Sequence, residues 1–125
     1  MRALVLVMLL AGCGGSKSEE GKVDDSFKPI AEQFAKHLVA HDYAAANAML
    51  VTPAPDLQKQ YETMVEPIGK VSGTQVMNTM TAWPDKQPTD AGWAYVSING
   101  EHGGEAVTVV VTRDNKIRTV EWGRP

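Results

Sequence analysis

One cysteine among 125 residues means that no disulfide can form within the chain, so stability must come from packing. Positive charge is also scarce. Against 12 Lys and Arg stand 15 Asp and Glu, a formal net charge of -3, so a phosphate backbone meets no general attraction and nucleic acid is not an expected partner. No apolar run approaches the roughly 20 residues that a transmembrane helix needs. The chain lacks a His-Glu-x-x-His zinc pattern, and Gly69-Lys70-Val71 has neither the glycine spacing nor the Ser or Thr of a phosphate-binding loop. No spacing singles out a nucleophile, no motif points to a cofactor, and there is no internal repeat. What remains is 43% hydrophobic and 22% charged, in the ordinary globular range, and long enough for one compact domain.

The single cysteine takes its meaning from its neighbours. Arg2 supplies one positive charge, and Ala3 to Ala11 form an unbroken apolar run of the length expected of a signal-peptide core. The run ends in Leu10-Ala11-Gly12-Cys13, which resembles the lipobox of bacterial lipoproteins: a leucine, two small residues and the cysteine to be modified. The resemblance implies a signal peptide over residues 1–12, a diacylglyceryl group on the Cys13 sulfur, cleavage before Cys13 and acylation of the new amino terminus. At about 0.8 kcal/mol per buried methylene, one acyl chain holds weakly, while two or three hold durably. No Asp follows the cysteine, so the resemblance further implies the outer membrane, with the domain facing the periplasm. Residues 13–25 carry one apolar side chain past the cysteine, Val23, among glycines, serines and charges, and read as a flexible tether with a reach of about 20 Å.

From Ser26 onward the pattern becomes that of a folded domain, residues 26–125. Phe27, Ile30, Ala31, Phe34, Ala35, Leu38 and Val39 follow the spacing of one helix face, with Ser26 as candidate cap and Pro29 tolerated in the first turn. Asp42 is placed to cap a second helix over Tyr43 to Leu50, stopped by Thr52-Pro53-Ala54-Pro55. A third follows Asp56, with Leu57, Tyr61, Met64 and Val65 inward, ending near Pro67-Ile68-Gly69. Strands are expected near Gly73 to Ala82, Gly92 to Ile98, Glu105 to Arg113 and Lys116 to Trp122, separated by turns at hairpin spacing. Helices first and a meander afterwards predict an α+β fold, with N-terminal helices packed on one face of a curved four-stranded antiparallel sheet.

The segment from Phe34 to Ala46 (FAKHLVAHDYAAA), followed by Met49-Leu50 and a Pro-rich break, resembles the opening of small exported cystatin-like proteins of the nuclear transport factor two-like superfamily. The similarity covers most of Ser26 to Trp122 as an order of elements, without the short hairpin common between the family's early helices. It implies a sheet curled around helices into a cone. It leaves function open, since that group spans isomerases, dehydratases, ligand carriers and lipoproteins.

Several side-chain groups are candidates for chemistry. His37 and His41 are four apart on the expected first helix, the spacing that lets two imidazoles reach one metal, but no third ligand is spaced to complete a site, and two half-exposed histidines account for them. Met77-x-x-Met80 with Trp83 is a soft, aromatic-flanked pair of the kind that holds copper, yet residues three apart in a strand face opposite sides unless a bulge intervenes. No metal site is therefore expected. Acid–base chemistry would draw on His41, Asp42 and Tyr43, or on Glu105 and Glu121, against the plainer roles of cap, packing and solvated strand residues. The sheet carries the more useful signal. Val107, Val109 and Val111 alternate with Thr108, Val110 and Thr112, and Ala94, Val96 and Ile98 alternate with Trp93 and Tyr95, so one face is core and the other half-apolar. Such a face is either covered by another chain, as in a back-to-back homodimer, or an ordinary surface with scattered aromatics.

The candidate ligand contacts are Tyr43, Trp83, Trp93, Tyr95 and Trp122, and the candidate lipidation site is Cys13. The expected function is that of a membrane-tethered, non-catalytic binding or interaction module. The alternatives are a small hydrolase, isomerase or dehydratase using the cone's interior, and an envelope-assembly lipoprotein, which Gly73-Thr74-Gln75-Val76 and Trp93-x-Tyr95 resemble but the helices before the sheet do not. A filled interior argues against a cavity enzyme or carrier, and a concave interior with convergent polar groups argues for one.

Overall fold

Three helices precede a four-stranded sheet in the computed structural model, which describes residues 26–123: α1 (Lys28–Val39), α2 (Tyr43–Ala48), α3 (Leu57–Val65), then β1 (Val71–Met80), β2 (Asp90–Gly100), β3 (Gly103–Thr112) and β4 (Ile117–Trp122). The expected signal peptide, Cys13 and the expected tether lie outside the described residues. The strands run antiparallel in the order β1-β2-β3-β4, the meander expected from the turn spacing. The architecture is α+β.

The apolar stripe of α1 buries Ala31, Phe34, Ala35 and Leu38. Its N-cap is Phe27, not Ser26, and no side chain caps it; the Phe27 ring is itself buried in the core. At its other end the helix stops at Val39, so His41 is not on it. Asp42 N–H bonds His37 O at 2.8 Å and His41 N–H bonds Leu38 O at 3.0 Å, the Schellman pair, with His41 at φ 60° in the left-handed position that glycine usually holds. That geometry breaks the expected i, i+4 pairing of His37 and His41. Asp42 caps α2 as expected, its Oδ1 accepting from Ala45 N at 3.1 Å, but α2 ends at Ala48 rather than Leu50. Leu50 instead forms a bridge with Ile117, and the Asn47 amide exchanges two hydrogen bonds with the backbone of Ala54, at 2.7 and 3.1 Å, closing the Pro-rich connection.

One sheet face meets the helices. Ala94, Val96 and Ile98 of β2 and Val107, Val109 and Val111 of β3 are fully buried together with Phe34, Leu38, Leu57 and Tyr61. Each large side chain so buried contributes about 1.5–3 kcal/mol. Gly92 is required where β2 crosses Phe27, because a Cβ there would fall 2.2 Å from the ring. The interior between helices and sheet is therefore occupied by side chains.

Two irregularities in pairing shape the opposite face. In β2 the register slips between Asp90 and Gly92, and where β3 meets β4 it slips between Val110 and Val111, which pair with Thr119 and Ile117. The second slip is a bulge at Arg118. It returns Ile117 to the core and re-aims the arginine out of the strict alternation.

Candidate functional site

The outer face of the sheet is a groove. Its floor is β3, whose outward residues Ala106, Thr108, Val110 and Thr112 are all buried although no helix covers them. Strand pairing places their neighbours: Trp93, Val110 and Thr119 form one row, and Tyr95, Thr108 and Glu121 the next. Cross-strand side chains start about 4.5–5.5 Å apart, so each row spans about 10 Å. Trp93 and Tyr95 stack along one wall with centroids 6.4 Å apart and planes 11° from parallel.

A loop closes one end. Trp83 and Lys86 are joined by a backbone turn, and Gln87 N–H donates to the buried carboxylate of Asp90 at 2.9 Å. Arg113 holds the far side of the loop through Nε to Pro88 O at 3.0 Å. So fixed, Trp83, Asp85 and Gln87 complete, with Trp93, Thr108, Val110, Arg118, Thr119 and Glu121, a recess of about 380 Å³. The Thr108 hydroxyl in its floor is buried and has no hydrogen-bond partner among the described residues.

Arg118 is the electrostatic centre of this region. Its Nε donates to Asp90 Oδ1 at 2.8 Å and its Nη2 to Oδ2 at 2.7 Å, a bidentate pair in which the carboxylate is fully buried and the arginine side chain 23% exposed. The arginine's hydrogen bonds, helped by that from Gln87 N–H, hold the Asp90 carboxyl below the usual carboxylate range against the opposing effect of burial, and the same pairing raises Arg118.

The five aromatic candidates do not form one site. Trp83, Trp93 and Tyr95 belong to the outer face. Tyr43 and Trp122 lie on the helix side, at the two ends of a chain of rings through Tyr61, with centroids 6.2 and 6.5 Å apart, and the Trp122 indole donates to Gln60 Oε1 at 3.0 Å. The Tyr43 hydroxyl donates to Glu62 Oε2 at 3.1 Å; burial and that carboxylate push its pKa up to about 12, which makes it a poor base at neutral pH. His41 stacks on Tyr43 at 5.8 Å, and Asp42 is occupied as a cap. Glu105 and Glu121 point to opposite faces, since Glu105 pairs with Ile98 and Glu121 with Thr108. A bulge does follow Val76, at Met77, but Met77 is 54% exposed while Met80 stands beside Trp93. Among the described residues, no group of three or more His, Cys, Asp or Glu could hold a metal ion, and no helix is long and apolar enough to cross a membrane.

Asp90, Arg118 and Thr108 were not among the sequence-based candidates. Only the strand register brings the first two together across 28 residues. An acidic residue directly before an apolar strand was the one local sign of Asp90. No family model, curated protein or solved structure matches the chain.

Proposed function

We propose that this protein is an exported, lipid-anchored binding module, held on the membrane through Cys13 and working through the outer face of its sheet. The observation that carries the reading is an asymmetry. The interior between helices and sheet is filled by Phe34, Leu38, Leu57 and Tyr61, while the outer face keeps Trp83 and Trp93 in the lining of a recess, with Tyr95 stacked on Trp93. Half-buried indoles beside a concavity are the usual make-up of a recognition surface. The non-catalytic part of the reading rests on the dispersal of the acid–base candidates: Tyr43 and Asp42 are engaged locally, and Glu105 and Glu121 are on different faces.

Hydroxyl-radical footprinting tests it on the whole protein. Oxidation of Trp83, Trp93 and Tyr95 should be lower in intact cell envelopes than in the purified protein, with Tyr43 and Trp122 unchanged. Equal oxidation of the outer-face rings in both samples would overturn the reading. A second copy seated on the face would protect the same rings in the purified protein at high concentration, and light scattering identifies that case as the homodimer.

A further inference from the structure

The chemistry of the outer-face recess specifies the charge of what enters it. Two indoles, Trp83 and Trp93, line it, and the face of an indole carries a negative quadrupole. Two carboxylates, Asp85 and Glu121, share the same lining. The one cation among the lining residues, Arg118, is already committed to Asp90 through two short hydrogen bonds. With Lys86 beside Trp83 counted as well, the carboxylates of Asp85, Asp90 and Glu121 outnumber the two cations, so the local sign is negative. An anion would meet repulsion from Asp85 and Glu121, and a purely aliphatic ligand would strip water from them without replacing it.

A positive group satisfies all of these features. The protein holds an example: Lys86 Nζ lies 5.9 Å from the centroid of the Trp83 ring, so this indole already accepts an alkylammonium. Independently, the floor contains the Thr108 hydroxyl, 4% exposed as a residue and without a hydrogen-bond partner among the described residues, a buried polar group left unsatisfied at the recess. We infer that the recess binds the ammonium group of a small organic cation, seated between Trp83 and Trp93 and neutralised by Asp85 and Glu121. The inference rests on the outer-face reading and adds to it the class of ligand.

Choline chloride is the probe, titrated into the full-length protein in a polyoxyethylene detergent, with sodium chloride at equal ionic strength, sodium acetate and glucose as comparisons. The readout is the set of three indole N–H resonances, of which Trp122 is the internal control because it lies on the other side of the sheet. Choline should move the Trp83 and Trp93 signals saturably, with a Kd of about 10 mM or tighter, and leave Trp122 in place. Glu121→Gln should weaken binding about fivefold, the effect of one unit charge at ~4 Å seen through water. Lys86→Gln should tighten it, because a competing positive charge is removed. Absence of a saturable choline shift, or an affinity indifferent to both substitutions, overturns the inference. If glucose or acetate moves the same two resonances instead, the ammonium assignment fails while the outer-face surface stands. If no probe moves them, the ammonium assignment also fails, and footprinting in envelopes decides separately whether the face is used.

Discussion

Arg118 grips Asp90 with both Nε and Nη2, at 2.8 and 2.7 Å, across the end of the groove, and the two partners are unequally placed: the carboxylate is sealed from solvent while the guanidinium reaches it. Removing the arginine strands a buried charge. Removing the aspartate leaves a cation that water can still solvate. Arg118→Ala should therefore cost about 3–5 kcal/mol and Asp90→Ala clearly less, and the double variant should cost less than the sum. Urea denaturation of the four proteins checks this; equal single-variant costs would show that burial does not govern the pair.

The same pair sets a pH response. The folded Asp90 carboxyl titrates below its ordinary value, so as pH falls the unfolded chain takes up the proton first. The stabilisation is then complete above about pH 4, the unfolded carboxylate value, and is lost as pH drops through the folded pKa. Wild type should lose stability faster than Asp90→Asn between about pH 4 and pH 2. Parallel acid denaturation curves would contradict the assignment.

The hydroxyl of Thr108 is buried without a hydrogen-bond partner among the described residues, a state that costs about 1–3 kcal/mol, and valine has nearly the same shape. Thr108→Val should raise the unfolding free energy by about 1 kcal/mol. A loss of stability would mean that the hydroxyl is bonded in solution. A gain would show that the native residue is kept at a stability cost, as expected of a group reserved for a ligand.

His41 holds the left-handed position after α1, where a side chain is disfavoured by about 1–2 kcal/mol relative to glycine. His41→Gly loses the stack on Tyr43 and gains unfolded-chain entropy, yet should still be neutral or stabilising by up to about 1 kcal/mol in thermal denaturation. A cost above about 1 kcal/mol would show that the imidazole contributes more through its contact with Tyr43 than its backbone conformation loses.

Elements governed by local periodicity were readable from the chain. The alternation of Val107, Val109 and Val111 with Thr108, Val110 and Thr112 identified both faces of β3, and Asp42 marked the start of α2. What could not be read depends on pairing between distant strands. Counting by twos from Trp122 and Val120 puts Arg118 on the core face, and only the bulge opposite Val110 and Val111 removes it. The Asp90 pair therefore stayed hidden, and the aromatic candidates could not be divided into the outer group and the Tyr43–Tyr61–Trp122 chain until that register was known. His41 escaped for a related reason: helix spacing continues past Val39 in sequence, whereas the Schellman turn ends it in space.

The proposed membrane attachment of this domain rests on lipid at Cys13. Intact-mass measurement of the protein extracted from the membranes of the producing cell tests it most directly. A chain beginning at Cys13 and carrying a diacylglyceryl group is the expected result, and Cys13→Ser should abolish the modification and release the protein from the membrane fraction. An unlipidated chain that retains Met1, or one cut elsewhere with a free Cys13 thiol, would contradict it.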